Sequence, residues 1–296
     1  MYDRGKMKKI IILIPVYNDW ESLNKLLLEI NNTIHGIEGA SFECLIINDA
    51  SSEPCPEIKL PSNISSLKII NMKKNQGHAR CNAFGIRFLS QDEKYDYVIL
   101  MDGDGEDRPS EIKLLVEKAL LKKGTSVVAK RVKRSEGMLF QFLYKIHKFI
   151  TIVFTGKNIN FGNYSCLTRD DVKILSDKAS LWSSYSGSLK KHITNFNSIN
   201  STRGLRYFGP SKMSLFKLLI HSFSIIAVFK QNVFLRSVIL LIILSYFSYS
   251  FNYIAALIQI LLVIFNLTIY LVSLRENLKE LLNSDGNMGE IKIYKH

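Results

Sequence analysis

Tyr97-Val98-Ile99-Leu100-Met101 runs without a break into Asp102-Gly103-Asp104-Gly105-Glu106-Asp107. The apolar run has the length of a buried strand. The acids then lie at that strand's C-terminal end, the edge at which open α/β sheets bind ligands. Two carboxylates one residue apart can hold a divalent cation through oxygen and leave room for a substrate's phosphates. A calcium-loop reading fails, because position six of the run is Asp107 rather than Gly and position twelve is Lys113 rather than Glu. An acidic loop can also be a plain solvated turn, so its surroundings decide.

Working outward, strand-like and helix-like segments alternate. Lys9 to Ile14, Phe42 to Ile47, Leu67 to Met72, Tyr95 to Met101 and Thr125 to Ala129 have strand composition. Glu21 to Thr33 carries Leu23, Leu26, Leu27 and Ile30 at helical spacing, and His78 to Leu89 reads as a second helix. Pro109 suits the first turn of a helix that continues over Glu111 to Lys122. Ile58 to Ser66 reads as a loop, and the polar tail after Asn283 as loose chain. Such alternation predicts an α/β fold with a mostly parallel sheet.

Four loops then share one edge: Pro15-Val16-Tyr17-Asn18-Asp19, Asn48-Asp49-Ala50-Ser51-Ser52, Asn75-Gln76-Gly77-His78-Ala79-Arg80, and the acidic loop. They offer an aromatic ring, carboxylates for a base and a ribose, a glycine-containing helix entry and metal ligands. Each alone could be an ordinary turn, with Asp19 and Ser51 as helix caps. Four in register make a nucleotide pocket. His78 at a helix start could touch a phosphate but reads first as a polar cap, and His147, His192 and His221 have no metal-ligand spacing.

The net charge of +13 calls for an anionic partner. Lys178 to Arg275 holds ten Lys or Arg and no Asp or Glu. Nucleic acid and an anionic membrane surface both fit that bias. Its contents favour the membrane: Ser237 to Leu274 has no charged residue over 38 positions. One bilayer span takes about 20 apolar residues, so this is nearly two. A break falls at Ser248 to Tyr253, and Lys230, Arg236, Arg275 and Lys279 flank the ends, which predicts a helical hairpin with both ends in the cytosol. One long tilted span or an apolar soluble helix pair is the plainer alternative. Leu139 to Phe154 is amphipathic to strongly apolar, and Ser214 to Phe229 reads as a helix lying on the membrane. Met1 to Lys9 is polar and basic, unlike a signal peptide. Cys44, Cys55, Cys81 and Cys166 show no pairing or zinc spacing and read as reduced, cytosolic thiols.

Pro-Val-Tyr-Asn-Asp, Asn-Asp-Ala-Ser-Ser, Asn-x-Gly-x-x-Arg and Met-Asp-x-Asp together resemble glycosyltransferase family 2, and within it the polyprenyl-phosphate glycosyltransferases of the dolichol-phosphate mannose synthase type. The resemblance covers nearly the whole chain. It implies a GT-A (Rossmann-like) nucleotide-sugar-binding domain over residues 1–212, an interfacial amphipathic helix over 213–232, a transmembrane hairpin over 233–276 and a polar cytosolic tail over 277–296. Pro15, Tyr17, Asp19, Asp49, Gly77, Arg80 and Asp102 would serve the nucleotide sugar. Asp102, Asp104 and Glu106 would hold Mg²⁺ or Mn²⁺, and Glu106 or Asp107 could act as a base. Arg131, Arg134, Arg203, Arg206 and Lys212 would cradle an acceptor phosphate; each could equally be solvated or face lipid headgroups.

The chain departs from the family pattern at Asn48, at Ala50 and at Gly162-Asn163-Tyr164-Ser165, where Asn163 replaces the expected base. An amide cannot take a proton, and a lipid phosphate needs no base, being anionic already. The expected reaction is inverting transfer of one sugar from a nucleotide sugar to polyprenyl (undecaprenyl) phosphate, by an enzyme integral to the inner membrane with its catalytic domain in the cytosol. A saccharide acceptor, or a non-catalytic membrane scaffold, are the alternatives. The Gln-x-x-Arg-Trp signature of processive synthases is absent. No nucleic-acid partner is expected, and self-association is open.

Overall fold

Ile10 to Ile14 lies at the centre of a sheet covered on both faces. Ile10, Ile12 and Ile14 point into one apolar cluster and Ile11 and Leu13 into another, the period-two alternation of a strand. A computed structural model describes residues 7–92, 94–121, 124–133, 138–210, 214–247 and 252–296. Strand β1 (Lys8–Val16) pairs in parallel with β2 (Ala40–Asn48) and β4 (Tyr97–Leu100), and β2 pairs in parallel with β3 (Ile64–Met72). Unbroken Ile, Leu and Val runs are what a doubly covered parallel sheet requires. With β5 (Ser126–Lys133), β6 (Phe161–Thr168), β7 (Phe196–Thr202) and β8 (Met288–Lys295), the eight-stranded order is β7-β5-β6-β4-β1-β2-β3-β8. Only β6 and β8 run antiparallel to their neighbours.

Helices α1 (Trp20–Ile34) and α3 (Ile112–Leu121) cover one face. Helices α2 (His78–Ser90), α5 (Arg169–Leu175) and α6 (Tyr185–His192) cover the other. The chain order reverses between β4 and β1, so the loops after these two strands flank the crevice where such sheets bind ligands.

Two readings of the sequence are corrected. Strand β3 begins at Ile64, inside the stretch read as a loop, because Ile64 and Leu67 are core residues with Ser65 and Ser66 between them at a register shift. The tail is not loose. Glu290-Ile291-Lys292-Ile293-Tyr294-Lys295 alternates polar and apolar, and it pairs with β3, Ile291 opposite Ile70 and Ile293 opposite Lys68.

A further layer comprises α4 (Met138–Thr155), α7 (Leu215–Ala227), α8 (Lys230–Phe247) and α9 (Asn252–Ser273). They meet at Ile226, Ala227, Val233 and Ile269, with Phe154, Phe223 and Phe265 packed around them. Most of the remaining apolar surface of α8 and α9 is exposed, Leu235, Ile242, Ile254 and Ile260 among it. Among the described residues, one helix (Tyr253–Leu282) is long and apolar enough to cross a bilayer; α7 and α8 reach that measure only together, with an 85° bend between them. The hairpin expectation is thus met in part. The chain then turns through the short α10 (Leu278–Leu282) and rejoins the sheet at β8.

Candidate active site at the carboxyl edge of the sheet

The loops after β1, β2 and β3 are laced together. Asn48 Nδ2 donates to Asn71 Oδ1 at 2.8 Å, Ser51 Oγ donates to Asn48 Oδ1 at 2.6 Å, and Asn18 N donates to Ser51 Oγ at 2.8 Å. Tyr17 is exposed beside them, and Pro15 lends its carbonyl to a close approach by Gly103, where a Cβ would stand 3.1 Å from that oxygen. Asp49 is only 3 % exposed. Its Oδ1 and Oδ2 accept from Gln76 N and Gly77 N, each at 2.8 Å. Burial pushes its carboxyl pKa up while these N–H groups pull it down. In this structure the expected base contact spends both oxygens on the entry to α2.

The acidic loop is held from within. Asp107, 5 % exposed, turns inward and accepts from Asp102 N at 3.0 Å. Burial and the Asp102 charge push its carboxyl up to about 8. It closes the loop from within. Asp102 Oδ1 lies 2.9 Å from His78 Nε2 and 3.4 Å from Asn163 Nδ2. Burial opposes its ionisation, but His78, Arg131 and Arg203 hold the carboxyl well below the ordinary range.

Asp104 Oδ1 accepts from Glu106 N at 3.0 Å and its Oδ2 from Arg206 Nη1 at 2.9 Å. Burial and the adjacent Asp102 charge push Asp104 up to about 6. Arg206 Nη2 also bonds Asp19, and Arg203 Nη2 bonds Glu106. Asp19 therefore precedes α1 without capping it. Gly204 N donates to Glu106 O at 2.8 Å and Tyr207 N to Asp104 O at 2.9 Å, so residues 203–207 lie as a strap along the loop. The Tyr207 ring covers Gly105, where a Cβ would meet it at 2.5 Å and where φ is +88°. Only glycine satisfies both demands. Tyr207 Oη donates to Glu29 Oε2 at 2.6 Å and pins the strap to α1.

Of the expected phosphate cradle, Arg131, Arg203 and Arg206 lie among the described residues. Arg203 and Arg206 sit on the donor-side acids instead. Arg131 packs its guanidinium on Gly162, where a Cβ would lie 2.7 Å from Nη2, and it shares the field of Asp102 with Arg203. Arg134 and Lys212 lie outside the described residues. Arg80 is a correction. It stacks 5.3 Å from the Trp182 ring and lies 3.7 Å from Glu280, away from His78, because residues two apart on a helix face different ways. Trp182 Nε1 completes that contact by donating to Glu280 Oε2 at 2.7 Å.

Sequence reasoning missed three participants. His78 touches Asp102, His221 on α7 lies within electrostatic reach of His78, Arg131 and Asp102, and Tyr207 roofs the loop. A lone histidine in the apolar α7 was the one available signal.

The donor set suits a hard divalent cation, since Asp102 and Asp104 offer carboxylate oxygens one residue apart on a loop fixed by Asp107 and Glu106 N. Among the described residues no three His, Cys, Asp or Glu side chains converge on a closed cage. A metal that shares its coordination with substrate phosphates needs only one or two protein carboxylates. Asp102 and Asp104 fit that requirement.

Residues 11–183, more than half of the chain, match the family described as glycosyl transferase family 2. The chain belongs to this family. Its fold is the GT-A fold, as its sequence resemblance implied. It is 30% identical over 173 residues to the undecaprenyl-phosphate 4-deoxy-4-formamido-L-arabinose transferases of Salmonella paratyphi B and Salmonella typhimurium, covering 57% of this chain and 50% of each relative. The chain thus spans about half the length of the curated relatives it matches. Among solved structures it resembles glucosyl-3-phosphoglycerate synthase from Mycobacterium tuberculosis, in complex with Mn²⁺, uridine diphosphate and glucosyl-3-phosphoglycerate, with a TM-score of 0.51, 13% identity and 76% and 80% of the two chains covered. Mannosyl-3-phosphoglycerate synthase from Rubrobacter xylanophilus gives a TM-score of 0.51 at 11% identity, covering 75% and 72%. The strap and helices α7–α10 lie beyond the residues that match the family.

Proposed function

We propose that this glycosyltransferase moves one sugar, with inversion, from a nucleotide sugar to a polyprenyl phosphate at the cytosolic face of the inner membrane. The observation that carries this reading is the seating of a greasy helical layer on the acid-lined domain: Lys191 Nζ of α6 donates to Val228 O at the end of α7 at 2.8 Å, Gly187 of α6 packs on Val228, and His221 of α7 shares the field of His78, Arg131 and Asp102. An acceptor with a charged head and a long apolar tail matches both surroundings. The relatives named for undecaprenyl phosphate support the same choice.

Mg²⁺ or Mn²⁺, bound by Asp102 and Asp104, would neutralise the leaving nucleoside diphosphate. The chain's own groups do the rest. The loop of Asp107 and Asp102 N fixes where the two acids point. Asn163 occupies the position of the expected base and donates to Asp102, so it takes no proton from an acceptor. A phosphate acceptor is ionised at neutral pH and attacks the anomeric carbon from the face opposite the leaving group without one. Arg131, next to Asn163, supplies the positive charge such an acceptor needs. Helices α8 and α9 anchor the enzyme as a hairpin that leaves and re-enters the catalytic domain on one side.

Membranes carrying the protein, given Mn²⁺, undecaprenyl phosphate and a panel of labelled nucleotide sugars, should label the organic phase with one donor. Asp104→Ala should lower that label by roughly 100-fold or more, the scale of losing a preorganised charge at the reacting centre. Label that appears only in water-soluble saccharide would replace the lipid acceptor with a sugar hydroxyl.

A further inference from the structure

Arg206 joins two acids that belong to different parts of the site. Its Nη1 is 2.9 Å from Asp104 Oδ2, and its Nη2 bonds Asp19 at the mouth of the β1 loop. All three side chains are largely buried, Arg206 at 14% and each acid at 18% exposure. Arg203 pairs with Glu106. The strap thus brings two guanidinium groups onto three carboxylates expected to meet cation and donor. A buried carboxylate pair without a counter-charge would be costly, and the guanidinium fork is the charge that satisfies it. The strap is held at both ends outside the acidic loop: Ser201 Oγ and Thr202 N donate to Glu111 at 2.6 and 3.0 Å, and Tyr207 Oη donates to Glu29 at 2.6 Å, so Arg203 and Arg206 lie on the span between two fixed points.

We propose that Arg206 is a built-in surrogate for the divalent cation, which must displace it from Asp104, and that the displaced guanidinium then pairs with the diphosphate of the incoming donor. The proposal rests on the assignment of Asp104 as a metal ligand. Charge accounts for the exchange. A guanidinium brings one positive charge to Asp104 and Asp19, whereas a divalent cation brings two and also coordinates phosphate. The freed fork matches a diphosphate in two-point geometry, so the cation and the donor each favour the same open strap. Metal alone meets resistance from Arg206; metal with nucleotide does not. The strap therefore couples the two ligands and keeps the acids paired between turnovers.

Mn²⁺ binding to the full chain in detergent, read by the free-ion electron paramagnetic resonance signal without nucleotide, tests this directly. Arg206→Gln should tighten Mn²⁺ by roughly tenfold or more, the worth of one charge-assisted pair. Arg203→Gln, which leaves Asp104 paired, should change it less. Wild-type affinity equal to or better than that of Arg206→Gln, with binding still abolished by Asp104→Asn, overturns the exchange and leaves the metal site standing. Mn²⁺ binding that ignores Asp104→Asn overturns both. The wild-type protein gives an independent readout that needs no variant: Mn²⁺ alone should speed trypsin cleavage after Arg203 and Arg206. Unchanged or slower cleavage at those two bonds would show that the cation does not release the strap.

Discussion

Lys230 Nζ lies 3.8 Å from Glu276 Oε2, so the start of α8 and the chain just beyond α9 are side by side. The chain thus enters α8 and leaves α9 at one place, and β8 then rejoins the sheet that β1 began. A single crossing between residues 230 and 276 would put β8 and β3 on opposite sides of the bilayer, where they could not pair. The number of crossings in this stretch is therefore even. Epitopes fused before Met1 and after His296 should be digested together in inverted membrane vesicles and protected together in intact spheroplasts. Alkaline carbonate should leave the protein in the membrane pellet; its release would remove the hairpin as an anchor.

Arg80→Ala should act on the C-terminal segment and not on donor binding. The side chain stacks on Trp182 and approaches Glu280, and such a contact is worth about 0.5–2 kcal/mol. Amide exchange in residues 278–295 should quicken, with nucleotide affinity within about twofold of wild type. A selective loss of nucleotide affinity would return Arg80 to the donor site.

Ala50 holds φ at +56°, in the left-handed region where a Cβ crowds the backbone. Glycine is at ease there, although it also frees the unfolded chain. Ala50→Gly should stabilise the protein by about 1 kcal/mol or less, read as a higher thermal midpoint in detergent. A lower midpoint would mean that the alanine methyl contributes packing that outweighs the strain.

His192 ends α6 with Nε2 3.1 Å from Ser180 Oγ. Burial, with Lys191 and Lys178 nearby, lowers its pKa from the usual 6.5. The unfolded chain thus takes up the proton first on acidification. Stability from this group is complete above 6.5 and is lost as pH falls through the lowered folded value. Thermal midpoints measured between about pH 8 and pH 5 should fall less steeply in His192→Gln than in wild type. Parallel curves would dismiss the histidine as a contributor.

The centre of the sheet was legible because Ile10 to Ile14 and Val98 to Met101 leave no polar alternative to a doubly buried strand. The acidic loop was legible because it follows such a strand directly. Strand β8 was not, since its Glu and Lys residues dominate the composition and hide a two-residue period. Arg80 was misplaced for a reason of helix geometry: the entry glycine fixes where α2 begins, but 100° per residue decides what each side chain meets. Arg203 and Arg206 were read from the sequence as cations for an acceptor phosphate, and the structure pairs them with Glu106, Asp104 and Asp19. Their partners were not foreseeable, because Asp104 and Asp19 are 102 and 187 residues away and only the folded sheet brings them together.

The last strand has a consequence for how the protein is made. Lys73 N donates to Asn287 O at 2.8 Å, Lys74 N to Asn287 Oδ1 at 3.0 Å, and Asn287 Nδ2 to Lys74 O at 2.9 Å. The loop that opens α2 is therefore fastened by residues translated more than 200 positions later, after the apolar helices have left the ribosome. A nascent chain still waiting to place those helices has β3 as a bare sheet edge and an unfastened donor loop. Fastening of this edge of the sheet is thus tied to the arrival of residues 287–295, and a chain stopped short of Asn287 lacks it even though Asp102, Asp104 and Asp19 have all been synthesised.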